Sequence, residues 1–275
     1  MADPPEKAGL RNAWGRVAAP YDEMWVAALA DYTARGLDLL EPPAAARGLD
    51  VACGPGVSTR ALRDRTPSGE ALGVDFAPEM VERARGRNGE VPGLTFAVDD
   101  AEHLSLPDAS YDAVTCSFGL MYCYDPRGAL AHMARVLRPG GRLMLAVWGR
   151  APRVWWSPAI ELVETRAAYY SALCPMIFFF GLPGVLGRML EEAGLRPVAE
   201  ETVADPMRFA SVEAGVQAAL LALPTSGLYA GRLDAAAKAE VRALLTAHVR
   251  GCASDEADGV GLASEVVVAV AEKPA

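Results

Sequence analysis

The run Leu49-Asp50-Val51-Ala52-Cys53-Gly54-Pro55-Gly56-Val57-Ser58-Thr59-Arg60-Ala61-Leu62 constrains the fold more than any other part of this 275-residue chain. It reads as a short buried strand, a glycine turn and the start of a helix. Gly54 and Gly56 let the backbone pass close to a ligand where a Cβ would collide. The helix that follows aims unpaired N–H groups and its positive dipole end into the same space, which suits a carboxylate or a phosphate. A second strand-like run, Ala71-Leu72-Gly73-Val74-Asp75, ends in a carboxylate placed to accept hydrogen bonds from ribose hydroxyls. Together these features indicate a nucleoside-containing cofactor on an α/β sheet. Two glycines alone are equally an ordinary strand-to-helix turn, since turns collect glycine.

Two common nucleotide motifs do not fit. A dinucleotide fingerprint needs a third glycine three residues after the second, and Thr59 stands there. This disfavours a nicotinamide oxidoreductase. A phosphate-binding loop ending in Gly-Lys-Ser/Thr needs a lysine, and the run has none.

Strand and helix patterns alternate along the chain. Strands are expected near 48–52, 71–75, 94–98, 111–117 and 143–148, then 197–204 and 265–270. A helix over 57–64 follows the first. Pro78 opens the next, with Met80, Val81 and Ala84 on one face. Asp125-Pro126 open another, with Ala129, Leu130, Met133, Val136 and Leu137 as the inward stripe. Pro139-Gly140-Gly141 reads as a turn. Strands separated by helices of this length imply parallel crossovers, hence a doubly wound sheet with ligands at the strand carboxyl ends. Residues 1–10 read as disordered, and 12–40 as one or two helices with Trp25, Leu29 and Tyr32 at helical spacing. Leu182 to Gly194 reads as a helix ended by a glycine cap with Leu195 as its hydrophobic partner. Two further helices are expected over 211–222 and 234–250, the second opened by Asp234.

The hydrophobic share of 52% and charged share of 22% describe a globular chain with a sizeable core. A net charge of −9, with no lysine or arginine run, argues against nucleic acid or an anionic membrane as partner. The five cysteines are scattered, without a Cys-x-x-Cys pair, as expected of free thiols in a reducing cytoplasm. The N-terminus lacks the apolar run of a signal peptide. The apolar stretch 172–187 is too short and too broken by proline and glycine to span a bilayer.

Five blocks carry a family resemblance: Leu49 to Gly56, Gly73-Val74-Asp75-Phe76-Ala77-Pro78-Glu79-Met80, Val98-Asp99-Asp100-Ala101-Glu102, Ser110-Tyr111-Asp112-Ala113-Val114, and Val136-Leu137-Arg138-Pro139-Gly140-Gly141. Their order across roughly 47–148 resembles the class I S-adenosylmethionine-dependent methyltransferases, in the small-molecule branch that includes quinone-biosynthesis C-methyltransferases. The first glycine of that family's loop is Ala52 here.

The resemblance implies a Rossmann-like, seven-stranded, mostly parallel doubly wound α/β sheet with helical cap and lid insertions, the last strand running antiparallel beside the sixth. It implies one methyltransferase domain over 1–275. Within it, 1–43 would form cap helices and 44–149 the cofactor-binding core. Residues 150–184 and 205–260 would be substrate-side insertions, with 185–204 and 261–275 completing the core.

It also implies roles for individual residues. S-adenosylmethionine would be the cofactor and S-adenosylhomocysteine its product. Asp50 would lie near the methionine ammonium, and Ala52, Gly54 and Gly56 would make room for the amino-acid tail. Asp75 would take both ribose hydroxyls, with Phe76 or Met80 flanking the adenine. Asp100 would accept from the adenine 6-amino group, and the Ala101 N–H would meet the adjacent ring nitrogen. Ser117 and Tyr21 would approach the methionine end, although Tyr21 reads equally well as packing under a helix.

No catalytic residue is singled out. His103 and His132 read as distant from the methyl, and His248 lies on a roof helix. Tyr122 is the better candidate for touching the acceptor, and a general base is unnecessary for an amine, thiol or activated-carbon nucleophile. Trp148, Trp155, Tyr169 and Phe178, with Trp156 and Tyr170 beside them, could line an apolar substrate pocket; core packing or a dimer contact is an equal reading. The expected partner is a small organic molecule, with room for a homodimer and no metal. The same residues would also serve a protein of this fold that binds S-adenosylmethionine without transferring its methyl.

Overall fold

Near-continuous apolar runs form the inner strands, as expected where a parallel sheet is covered on both faces. The structure, a computed structural model, describes residues 5–168, 174–221 and 226–275. The chain opens with α1 (Pro5–Met24) and α2 (Val26–Leu40). The alternating core follows: β1 (Arg47–Val51), α3 (Val57–Arg65), β2 (Glu70–Asp75), α4 (Pro78–Asn88), β3 (Leu94–Val98), β4 (Tyr111–Ser117), α5 (Pro126–Val136) and β5 (Leu137–Trp148). Then come α6 (Ser157–Ala167), α7 (Cys174–Ile177), α8 (Val185–Glu192), β6 (Arg196–Val203), β7 (Pro206–Phe209), α9 (Val212–Leu221), α10 (Ser226–Arg232), α11 (Ala235–Cys252), β8 (Ala253–Glu256), β9 (Gly259–Ala263) and β10 (Val266–Glu272).

Seven strands form one sheet in the order β3-β2-β1-β4-β5-β10-β6. The first five are mutually parallel, and β10 runs antiparallel between β5 and β6. This is the doubly wound, Rossmann-like α/β architecture expected from the sequence. Its strand order reverses between β1 and β4. The loops leaving the two strands diverge there and open a crevice at their carboxyl ends.

Local chemistry sets the helix ends. Asp125 caps α5 by accepting from Gly128 N at 2.9 Å, and Asp234 caps α11 by accepting from Ala237 N at 2.8 Å. Past the end of α8, Gly194 takes a φ of 78° and Leu195 N donates to Leu190 O at 3.0 Å, the glycine stop read from the sequence.

Three features differ from the sequence reading. Residues 5–10 belong to α1, because Lys7 is held in a buried ion pair. The Pro139-Gly140-Gly141 turn lies inside β5, where a register shift opposite Tyr111–Ala113 absorbs it. A second antiparallel sheet, β7-β9-β8, packs against α2 and α9 through β7 and against α11 through β9. Its strands are short and include the polar Ala253-Ser254-Asp255-Glu256, which carry no strand signal of their own.

Candidate functional site

The loop leaving β1 turns through three left-handed positions: Ala52 (φ 57°), Gly54 (φ 52°) and Gly56 (φ 82°). Their needs differ. A Cβ on Gly54 would meet no protein atom within 4 Å, and Gly54 lines the crevice. A Cβ on Gly56 would press 2.8 Å from the Phe96 ring and 2.9 Å from Ala84 Cβ. Gly56 is therefore required by helix-on-sheet packing. Ala52 lines the crevice despite a conformation that costs a Cβ-bearing residue about 1–2 kcal/mol.

Asp50 lies beneath this loop and is wholly buried. Its carboxylate accepts from Ser58 Oγ at 2.5 Å, Thr59 Oγ1 at 2.7 Å and Thr115 Oγ1 at 2.7 Å. Burial pushes its pKa up, and the three hydroxyls pull it back. Asp50 thus ties α3 to β1 and β4. Thr59, the residue in place of a third fingerprint glycine, belongs to this brace. Neither Asp50 nor Gly56 lines the crevice, unlike their expected places beside the amino-acid tail.

Asp75 does line it, at the carboxyl end of β2. Gly54 N and Ala77 N each donate to one of its oxygens at 2.9 Å, which fixes the carboxyl while leaving each oxygen a free lone pair. Burial pushes its pKa up to about 6 against these two backbone N–H groups. Phe76 and Met80 flank it. After β3, Asp99, Asp100, Ala101 and Glu102 form the opposite wall. The Asp99 carboxylate accepts from Ser105 N and Oγ. Asp100 Oδ1 accepts from Glu102 N at 3.0 Å, and its Oδ2 lies 2.6 Å from Lys7 Nζ.

Aromatic rings from α1 and the loop after β4 cover the crevice. Trp14 stands edge-on to Tyr21, with centroids 5.5 Å apart, and to Tyr122 at 4.9 Å. Ser117, Phe118, Gly119 and Cys123 complete a cleft of about 660 Å3, measured out to its mouth. Ser117 Oγ is buried there and has no hydrogen-bond partner among the described residues. A second cavity of about 440 Å3 adjoins it across Tyr21, Ala52, Gly54, Ser117 and Phe118. Val26, Leu29, Ala30 and Thr33 of α2 form its far wall.

The structure thus gathers Tyr21, Ala52, Gly54, Asp75, Phe76, Met80, Asp100, Ala101, Ser117 and Tyr122 around one cleft. It places Trp148, Trp155 and Phe178 elsewhere, as a correction to the pocket reading. Trp148 and Trp155 pack around Trp25 in the core, Phe178 packs on Trp156, and none lines either cavity. Tyr169 and Tyr170 lie outside the described residues. No histidine lines either cavity. His248 Nε2 contacts Trp155 O at 3.0 Å, and the His103 and His132 rings stand 6.2 Å apart.

Several cleft residues were missed in the sequence. Trp14 stands two helical turns before Tyr21, a spacing that could have marked one face of α1. Phe118-Gly119 follow β4 directly, where the topology puts ligands. Lys7, behind the cleft wall, gave no signal, and of the α2 wall only Leu29 stood out, by its helical spacing. Among the described residues no cluster of histidine, cysteine and acidic groups could hold a metal, and no helix is long and apolar enough to cross a membrane.

The family profile described as "Methyltransferase domain" matches residues 49–145. The demethylmenaquinone methyltransferase of Deinococcus radiodurans is 37% identical over 163 residues, 54% of this chain and 68% of that protein. The enzyme of the same name from Thermus thermophilus is 35% identical over 174 residues, 58% of this chain and 79% of that protein. The fold matches the phosphoethanolamine N-methyltransferase 2 of Haemonchus contortus, solved with phosphomonomethylethanolamine and S-adenosylhomocysteine. The TM-score is 0.56 at 17% identity, covering 89% of this chain and 53% of that one.

The cleft suits such a cofactor. It offers two carboxylates with open lone pairs, aromatic and thioether faces, a partnerless hydroxyl and backbone with no Cβ in the way. With relatives of this identity and coverage, the chain belongs to the class I S-adenosylmethionine-dependent methyltransferases.

Proposed function

We propose that the larger cleft takes the adenosine of S-adenosylmethionine and that the adjoining cavity takes a small, apolar, ring-bearing acceptor. Asp75 accepts from the ribose diol. Asp100 accepts from the adenine amine and Ala101 N meets the ring, with Phe76 and Met80 against its faces. Ser117 and the backbone at Ala52 and Gly54 meet the methionine tail. The observation that carries this reading is the joining of the two cavities across Tyr21, Ala52, Gly54, Ser117 and Phe118. A methyl group at that junction would face the α2 wall. The names of the relatives, demethylmenaquinone methyltransferases, support a quinol-type ring as the first acceptor to try.

When bound, the cofactor supplies an electrophilic methyl on a sulfonium. The chain's own contribution is orientation and exclusion of water. Burial, with the Asp75 charge nearby, pushes the Tyr21 pKa up, so its phenol stays protonated and can only donate or pack. Cys123 lines the cleft, and burial pushes its pKa far up, with Cys116 beside it raised to about 12. Both remain thiols and do not compete for the methyl. With no histidine in either cavity, the acceptor brings its own nucleophile: a neutral amine, an ionised oxygen, or, for the ring acceptors favoured here, a ring carbon activated by one.

Ala30→Phe, which fills the second cavity, tests the assignment. S-adenosylhomocysteine release from hydroquinone, phenol and polar amine acceptors should fall about tenfold or more with the ring acceptors. Binding of S-adenosylhomocysteine should stay within about twofold. Turnover confined to polar amines would overturn the acceptor class, and loss of cofactor binding would overturn the division between cavities.

A further inference from the structure

Lys7 plays no part in the roles above, yet it is only 3% exposed. Its Nζ stands 2.6 Å from Asp100 Oδ2 and 3.1 Å from Glu102 Oε2. Lysine is almost never buried to this degree without partners. Burial works to lower its pKa, but the two carboxylates outweigh that and raise it, so the ammonium stays charged.

Each carboxylate is also held from behind by loop backbone. Asp100 Oδ1 accepts from Glu102 N at 3.0 Å, and Glu102 Oε1 accepts from Tyr124 N at 2.9 Å. Asp100 and Glu102 face the cleft, whereas Lys7 does not line it. The carboxylate expected to read the base is therefore clamped at two points, and one of them arrives on α1. The same helix carries Trp14 and Tyr21 into the cleft.

We propose that Lys7 is a positioning residue: it fixes the Asp100 carboxylate as an acceptor for the adenine 6-amino group, so that selection of the base depends on α1 being closed. This rests on the reading of Asp100 as the adenine acceptor. Two carboxylates on one wall repel each other, and a single ammonium between them keeps their spacing. The wall retains a net negative charge, which welcomes an N–H donor. A base with a carbonyl at that position would aim a lone pair at a carboxylate that cannot turn away. Without the ammonium, Asp100 and Glu102 rotate apart and that rejection relaxes.

The test compares S-adenosylhomocysteine with S-inosyl-L-homocysteine, in which the 6-amino group is replaced by a carbonyl. Both are titrated calorimetrically into the full chain as wild type, Lys7→Met and Lys7→Arg, with Lys7→Gln as the second neutral variant should Lys7→Met not fold. Wild type should prefer the adenine compound by about tenfold or more, because a site built to accept an N–H rejects an analogue lacking it. The neutral variants should bring the preference close to parity, and Lys7→Arg should keep it. If the neutral variants weaken both compounds by the same factor, or leave both unchanged, Lys7 is merely structural and the proposal falls. If wild type binds the two compounds equally, the Asp100 reading itself fails and takes this inference with it.

Discussion

Asp50 and Asp75 are the same residue type near the ends of neighbouring strands, yet the structure gives them opposite tasks. Asp50 accepts from three hydroxyls of its own scaffold and is wholly buried beneath the loop. Asp75 receives backbone N–H groups, Gly54 and Ala77 at 2.9 Å, and lines the cleft. Its burial has a consequence in pH. With its pKa raised from 3.8 to about 6, the folded protein holds this proton to a higher pH than the unfolded chain does. The stability this group contributes is full below pH 3.8 and is lost as pH rises through about 6. A ribose diol donates two protons and needs the carboxylate, so binding runs in the opposite sense. Affinity for S-adenosylhomocysteine should be level above about pH 7 and weaken below about pH 6, by up to about tenfold per unit, with proton release on binding in that range. Titration calorimetry in buffers of different ionisation enthalpy measures both effects. Asp75→Asn should bind about tenfold or more weakly and lose the pH response; a variant that keeps the wild-type profile would remove Asp75 from the ribose.

At the scale of elements, α1 is the part that completes the cleft, and its attachment is polar. Asp22, in the last turn of α1, is buried, accepts from Arg83 Nε at 2.6 Å and from Arg87 Nε at 2.8 Å, and so clamps α1 onto α4. Both arginine side chains are 39% exposed, which tempers the gain from the ion pairs. Asp22→Ala should loosen the clamp by about 1–2 kcal/mol. Hydrogen exchange across 5–24 should accelerate, and the KM for cofactor should rise more than kcat falls. Unchanged exchange in α1 would show that the aromatic contacts hold the helix by themselves. That the leading segment forms cap helices was legible in the sequence only through resemblance. The contact of Lys7 with the cleft wall was not, because only the fold brings Asp100 and Glu102 near it. Asp75, Asp100 and Ser117 were legible because strand ends in a doubly wound sheet converge by topology, whatever the loops do. The tryptophans were left open between core and pocket for a different reason. Core and pocket both call for large apolar side chains, and composition cannot tell an inward face from a lining one.

At the scale of the whole molecule, one of those aromatics joins parts that the chain order keeps apart. Trp25 begins α2 and is fully buried. Its ring stacks on Trp155 at 6.0 Å and stands edge-on to Trp148 of β5, to Trp156 and to Phe209 of β7. Its Nε1 donates to Ala218 O in α9 at 3.2 Å. The cap, the main sheet, the small sheet and the helices beyond it therefore share one contact point. Trp25→Ala should cost about 3–5 kcal/mol for the cavity, with about 0.5–1.5 kcal/mol more for the lost hydrogen bond to Ala218 O. Against a typical total of about 5–15 kcal/mol, such a loss takes most of the stability. Trp25→Phe keeps most of the packing and should cost about 1–3 kcal/mol. The two variants differ in kind as well as in size. With the shared contact gone, the cap and the small sheet should open before the parallel sheet, because the one side chain that touches all of them is lost. In wild type, urea unfolding followed by circular dichroism and by hydrogen exchange in β4 and β5 should give coincident transitions. In Trp25→Ala the exchange of α1, α2 and β7 should move to lower urea than that of β4 and β5. Coincident transitions at a near wild-type midpoint would mean that cap and sheet are coupled elsewhere and that Trp25 only fills space.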